Sequence, residues 1–282
     1  MDSITTPDGL RLHAYDWPSI DGPTRGSVVL VHGLGEHLGR YNHVAARLTA
    51  QQWRVLGCDL RGHGRSQGPR GDAPQRDTLL ADLALVIDAA RALTPRGLPL
   101  VLLGHSLGGL IAARFVAAGL EPSRPAWSRE VDALALSSPA LDAGLKPAQR
   151  TLLQVARRLF PHLAVGNGLD PKWISRDARV VAAYQADPLV HDRVTATVAR
   201  FAAEAGAEAQ VLAARWRVPT LLMWAGADRC VAPAGAAAFA AAAPRSVLES
   251  LPWPGFAHEL FNEPERELVL DRVLDWLNAR FA

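Results

Sequence analysis

An α/β fold with a mostly parallel central sheet is what this 282-residue chain predicts, and three observations carry the prediction. Short apolar runs alternate with amphipathic stretches of helical length from residue 27 onward. One run, Leu100 to Leu103, passes straight into Gly104-His105-Ser106-Leu107-Gly108, a G-x-S-x-G turn, and helical spacing resumes at Leu107, Leu110, Ile111 and Phe115. A long interval without a strand pattern, 140–217, separates two of the later strands, as an insertion would.

Residues 3–6 and 10–17 alternate around the turn sequence Pro7-Asp8-Gly9 and read as an N-terminal antiparallel hairpin. Ser27 to Val31 is apolar enough for a strand buried on both faces, and it ends in the loop His32-Gly33-Leu34-Gly35-Glu36-His37. A helix follows with Tyr41, Val44, Ala45 and Leu48 on one face. Trp53 to Cys58 is the next strand, and Leu79, Leu80, Leu83, Val86, Ile87 and Ala90 mark a long amphipathic helix leading to Leu100. Val131 to Leu136, Val218 to Ala225 and Ser246 to Leu251 complete the strands, and the chain closes on a helical segment ending at Trp276, Leu277 and Phe281. Such alternation implies right-handed crossovers and helices on both faces of the sheet. Within 140–217 the pattern is helical over Gln149 to Phe160, Asp177 to Gln185 and Arg193 to Ala214, which reads as a cap over the carboxyl ends of the strands. The chain therefore divides into a core, 1–139 and 218–282, and a helical cap insertion, 140–217.

With 49% hydrophobic and 21% charged residues, the chain can bury a large core and is not a disordered protein. The net charge is only +2 and the basic residues form no long run, so nucleic acid is not an expected partner. Two cysteines, Cys58 in a strand and Cys230 in a loop, make neither a disulfide framework nor a metal site and suit a reducing compartment. The opening residues do not read as a signal peptide and no apolar run reaches bilayer-spanning length, so a cytoplasmic protein is expected.

A serine hydroxyl is a weak nucleophile at neutral pH and needs a base within reach, which a sharp strand-to-helix turn provides by pushing it outward. Gly104 and Gly108, two residues either side of Ser106, lack the Cβ atoms that would collide in such a turn. GHSLGG alone also fits a plain glycine-rich turn; its partners decide between the readings. Ligands gather beyond the carboxyl ends of parallel strands. Asp228 stands there after Leu221 to Ala225, and His258 stands there after the last strand. The order Ser106, Asp228, His258 is that of an α/β-hydrolase, in which the aspartate orients the histidine and the histidine takes and returns the serine proton. The expected oxyanion donors are the backbone amides of Leu34 and Leu107.

The other histidines read as satisfying backbone groups (His32, His63, His105) or show no ligand spacing to one another (His13, His37, His43, His162, His191), so no metal is expected. Asp59, Asp82 and Asp88 read as loop and helix-surface carboxylates, and Cys230 is expected beside the site without a role.

The chain resembles the α/β-hydrolase superfamily, and more narrowly its monoacylglycerol lipase and lysophospholipase branch. The segments that carry the resemblance are HGLGEHLGRY (His32 to Tyr41), DLRGHGRSQGPRGD (Asp59 to Asp72), GHSLGG (Gly104 to Gly109), YQADPLVH (Tyr184 to His191), GADR (Gly226 to Arg229) and HELFNEPERE (His258 to Glu267). The resemblance implies a cofactor-free serine ester hydrolase acting through an acyl-enzyme, with Ser106 as nucleophile, Asp228 and His258 as its relay, and Leu34 and Leu107 as oxyanion donors. It also implies an apolar acyl tunnel and a narrow alcohol pocket under the cap. Phe256-Ala257, just before the histidine, marks a departure that points to a different alcohol side.

The apolar segment Leu152, Leu153, Val155, Leu159, Phe160, Leu163 and Val165 is expected to wall the tunnel or to pack on the core sheet. The alternatives are a small-ester carboxylesterase, a proline-iminopeptidase-like peptidase and a non-catalytic ligand-binding protein of the same fold. A peptidase of that kind needs acidic cap residues for a free amino terminus, whereas this cap holds 11 Lys and Arg against 7 Asp and Glu, net +4. The expected partner is a small acyl ester, with transient membrane or micelle contact through the cap.

Overall fold

The computed structural model describes residues 2–20, 22–144 and 147–281, apart from the side chains of 147–150, 152 and 157. The chain opens with the antiparallel hairpin β1 (Ser3–Thr5) and β2 (Arg11–Trp17), turning where Gly9 takes a positive φ. There follow β3 (Gly26–Val31), α1 (Asn42–Thr49), β4 (Trp53–Cys58), α2 (Thr78–Leu93), β5 (Leu100–His105), α3 (Ser106–Ala118) and β6 (Ala133–Ser137). The stretch after β6 holds α4 (Pro147–Leu159), β7 (Val165–Gly166), α5 (Ala178–Ala186), β8 (Arg193–Val194) and α6 (Ala196–Leu212). The sheet then resumes with β9 (Thr220–Ala225), α7 (Pro233–Ala242), β10 (Leu248–Trp253) and α8 (Arg266–Arg280).

Eight strands form one sheet in the order β1-β2-β4-β3-β5-β6-β9-β10, antiparallel at β1–β2 and β2–β4 and parallel from β4 to β10. Alternate residues of each strand feed opposite cores, as a period of two demands. Val29 and Val31 pack with α2, α3, α6 and α7, while Val28 and Leu30 pack with α1 and α8. Burial of each such Val or Leu contributes roughly 1.5–3 kcal/mol, and both faces of β3 and β5 are buried along their whole length.

The later strands begin two residues after the apolar runs that announce them. Pro219 has no N–H to give the ladder, so β9 starts at Thr220. The amides of Val247 and Leu248 both turn back to the carbonyl of Pro244, so β10 starts at Leu248. The interval 140–217 is not free of strands: β7 and β8 pair as a two-residue antiparallel ribbon, too short to leave a periodic signal.

Three carboxylates assigned to loops and helix surfaces fare differently. Asp88 is exposed and pairs with Arg129. Asp59 is buried and accepts the amides of Leu38 and Arg65, 2.8 Å each, while Asp82 is buried against Arg61. Long-range partners overrule the surface preference of the residue type, because a buried carboxylate is tolerated once it is bonded. Among the described residues no helix is long and apolar enough to cross a membrane.

Candidate active site

Ser106 is the first residue of α3 and takes φ +53°, left-handed backbone that few non-glycine residues adopt. Its neighbours show why. A Cβ on Gly104 would lie 2.6 Å from the carbonyl oxygen of Gly108, and one on Gly108 only 2.2 Å from that of Val31. The elbow is thus pressed against both itself and the end of β3, and side chains at either position would force it apart. Leu107 follows within the first turn of α3, where amides have no intrahelical acceptor and the helix dipole favours negative charge.

Asp228 and His258 come from the loops after β9 and β10. His258 Nδ1 lies 2.7 Å from Asp228 Oδ2, with 7% and 1% of the two side chains exposed. Burial alone would push the Asp228 carboxyl up; the bonds from His258 and from the amides of Cys230 and Val231 outweigh it and hold the group below its ordinary value. The imidazole of His105, 4.7 Å from that of His258, is pushed down to about 4 by burial and by that neighbour.

The loop carrying Leu34 is held by a buried charged cluster. Glu36 accepts the Gly33 amide and the Tyr41 hydroxyl, 2.7 Å each, and Arg40 bridges Glu36 to Glu259, the residue after His258. Burial would raise the Glu36 carboxyl, but the Arg40 guanidinium outweighs it and holds the group down to about 2. The interval after β6 docks onto the same loop. The His191 amide donates to the Gly35 carbonyl at 2.9 Å, and His37 Nε2 lies 2.9 Å from Asp187. Gly35 has φ +78°, and a Cβ there would meet the His191 carbonyl oxygen at 2.3 Å.

Two cavities meet at Ser106. The larger, about 360 Å³, is the more polar of the two and is reached by His258, Tyr184, Gln185, Asp187 and His191. The smaller, about 160 Å³, is walled by Leu107, Ala140, Val194, Val198, Ala202 and Val231. Leu34, Ser106, Asn167, Leu169 and Cys230 border both. Of the sequence-selected residues, Ser106, His258 and Leu34 border the larger cavity, Leu107 the smaller, and Asp228 stands behind His258.

Most of the apolar segment near α4 does neither thing expected of it, although Leu153 is half-buried beside α6, in a cavity apart from the serine. Val155, Leu159, Phe160, Leu163 and Val165 are each at least half exposed, and the wall of the small cavity draws on β8 and α6 instead, through Val194, Val198, Ala199 and Ala202. The side chain of Leu152 lies outside the described residues. Phe256 packs on Trp253 and under Arg176, away from the cavity-lining set. Cys230 does border the site, its thiol pushed up by burial and by Asp228. Asp228, Cys230 and His258 each bring a ligand-type atom within 4.8 Å of the others, a set of the kind that suits a metal ion, although two of them already bond to each other. The cavity-lining carboxylates Asp170, Asp187 and Asp192 escaped the sequence reading, because they sit in two loops without periodicity, Asp187 and Asp192 in the one between α5 and β8.

Parallel strands that present a serine elbow at one carboxyl end, and an aspartate–histidine pair at two later ones, define the α/β-hydrolases. Residues 22–265 match the family model described as serine aminopeptidase, S33, and the chain belongs to that family. It is 37% identical to the monoacylglycerol lipase of Mycolicibacterium smegmatis over 272 residues, 95% of this chain and 93% of that one. It is 31% identical to the phospholipase YtpA of Bacillus subtilis over 86% of this chain and 91% of that one. The crystal structure of the monoacylglycerol lipase of Paleococcus ferrophilus superposes with a TM-score of 0.83, at 32% identity, covering 95% of this chain and 98% of that one. Within the family the chain falls in the monoacylglycerol lipase-like branch and is a hydrolase of the esterase and lipase class.

Proposed function

We propose that the chain hydrolyses monoacylglycerols through an acyl-enzyme on Ser106. The observation that carries this reading is the meeting, at one serine, of a small apolar cavity with a larger and more polar one, since a monoacylglycerol has an apolar and a polar end. The acyl chain lies along Leu107, Val194, Val198 and Ala202, and the glycerol lies toward Tyr184, Gln185 and His191.

In this mechanism His258 takes the Ser106 proton as the hydroxyl attacks the ester carbonyl, and Asp228 holds the imidazole in the tautomer whose Nε2 faces the serine. The amides of Leu34 and Leu107 stabilise the tetrahedral oxyanion, a donation whose loss typically costs about a hundredfold or more in rate. His258 then protonates the departing glycerol, and a water attacking the acyl-enzyme by the same route releases the fatty acid. The steps call on protein groups alone.

In the same proposal residues 140–217 act as the cap over a core of 1–139 and 218–282, a division supported by the cap residues that line both cavities. The exposed side chains of Val155, Leu159, Phe160, Leu163 and Val165 support transient contact of the cap with a membrane or micelle. Liposome sedimentation with and without Leu159→Ser and Phe160→Ser tests the contact, and equal binding refutes it. A cytoplasmic location is supported by two free cysteines.

The test of the function is the rate across p-nitrophenyl esters of rising chain length, with 1-monoacylglycerols alongside and Ser106→Ala as control. A rate that rises beyond acetate, with glyceride turnover lost in the variant, supports the lipase; a maximum at acetate makes the protein a small-ester carboxylesterase. One observation favours a second reading. Asp170, Asp187 and Asp192 line the polar cavity, where carboxylates suit the free amino terminus of a peptide. Release of anilide from a prolyl anilide at a rate matching the esters would establish that reading.

A further inference from the structure

The residues lining the polar cavity include five carboxylates, Glu36, Asp170, Asp187, Asp192 and Glu259, and no lysine or arginine among the described residues. Their charges are unequally balanced. Glu36 and Glu259 share the single guanidinium of Arg40, which sits behind the wall. Asp187 lies 2.9 Å from His37 Nε2, Asp170 accepts the backbone amide of Lys172, and Asp192 lies 3.1 Å from the half-exposed Arg193. Two histidines of the wall add no positive charge near neutral pH, since burial pushes both His105 and His191 down to about 4. Among the described residues, the charged side chains that 140–217 turns toward the serine are the carboxylates of Asp170, Asp187 and Asp192, so this face of the segment is acidic.

We infer that the leaving-group side of the site selects its alcohol by charge, admitting a neutral polyol or an alcohol that bears an ammonium group and rejecting one that bears a phosphate. The inference rests on the monoacylglycerol reading above, because it takes the polar cavity as the alcohol side. The physical ground is that like charges brought together in a concave, partly desolvated site repel far more than in open water. The acyl half is unaffected: among the described residues the small cavity has no charged residue in its lining, so two esters of one fatty acid differ only in what meets the five carboxylates. A fit to neutral glycerol follows from hydrogen-bond acceptors and donors on Gln185, Tyr184 and Asn167 that carry no charge.

The experiment uses the full chain and three esters of one dodecanoyl group: 1-dodecanoylglycerol, dodecanoylcholine and 1-dodecanoylglycerol 3-phosphate, each as monomer below its aggregation point. The expected result is a kcat/KM for the phosphate-bearing ester lower by on the order of a hundredfold than for the other two. That gap narrows as salt is raised. It narrows again, by about tenfold, in the Asp170→Asn/Asp192→Asn variant, read as the ratio of the glycerol to the phosphate ester within each protein so that a general loss of activity cancels. Equal turnover of all three esters overturns the inference, as does a phosphate ester that stays poor at every salt concentration and in the variant, which would mean rejection by size. Failure to hydrolyse 1-dodecanoylglycerol at all would instead overturn the monoacylglycerol reading, and this inference with it.

Discussion

Arg40 grips Glu259 with both prongs of its guanidinium, Nη1 2.7 Å from Oε1 and Nη2 2.6 Å from Oε2, in a site where 11% and 5% of the two side chains are exposed. Glu259 follows His258, and Arg40 also holds Glu36, two residues beyond Leu34. One buried cation therefore sets the spacing between the loop that carries the proposed base and the loop that carries a proposed oxyanion donor. Removing it leaves two buried carboxylates facing each other, an arrangement that costs about 3–5 kcal/mol when a single partner is deleted. Arg40→Met is expected to lower the urea midpoint accordingly. Arg40→Lys keeps the charge but not the fork, and is expected to lower kcat by about tenfold or more while KM changes little, the split a misplaced oxyanion loop produces. A fall in stability with unchanged kcat would confine the residue to folding.

Asp228→Asn tests the proposed relay more directly. The amide keeps the shape of the carboxylate but presents a donor, which stabilises the wrong tautomer of His258; the expected loss in kcat is roughly ten-thousandfold, with near-native thermal stability. Circular dichroism and steady-state kinetics on the same sample separate this from unfolding.

Gly35→Ala is expected to loosen the junction between the Leu34 loop and the interval after β6. The added methyl meets the His191 carbonyl oxygen at 2.3 Å in a backbone already at φ +78°. The cost expected is about 2–3 kcal/mol, visible as a lower melting temperature and a raised KM for glycerides. An unchanged KM would show that the junction does not shape the cavity.

These three positions also mark what the sequence allows one to read. The elbow at Ser106 was legible because its chemistry is local: a strand, two glycines and a helix, all within a dozen residues. Trp53–Cys58 matched its strand because, apart from Arg54, its residues are apolar or small and buried. The partners of Arg40 were not legible, since Glu36 and Glu259 are far apart in the chain and glutamate is ordinarily a surface residue. The segment around α4 teaches the complementary lesson. Helical spacing states which residues share a face, but not what covers it, so Val155, Leu159 and Phe160 were read as wall or core and stand in solvent. The acidic face of the polar cavity was hidden for a further reason, because a summed charge over 140–217 says nothing about which side of the segment carries it.

Acid sensitivity follows from the buried imidazoles. His63 is buried, its Nε2 without a hydrogen-bond partner among the described residues, and burial pushes its pKa well below the ordinary value. His105 and His191 are pushed down to about 4, and His32 is lowered as well, burial being the main cause in each. A histidine whose folded pKa lies below its unfolded one takes up protons more readily when unfolded, so stability rises with pH across the gap. The contribution is complete above about 6.5 and is lost as pH falls toward 4; for the fully buried His105 it amounts to on the order of 3 kcal/mol. The carboxyls of Asp228 and Glu36, lowered in the fold, add a loss that sets in only near their ordinary values of 3.8 and 4.5, and so leave the fall between pH 6.5 and 5 to the histidines. Urea midpoints measured at pH 7.5, 6 and 5 are expected to fall steadily. In His191→Asn, which removes one titrating ring and keeps an acceptor for the Arg193 amide, the slope is expected to be shallower. A midpoint constant from pH 7.5 to 5 would mean that these rings are hydrated and charged in the folded protein.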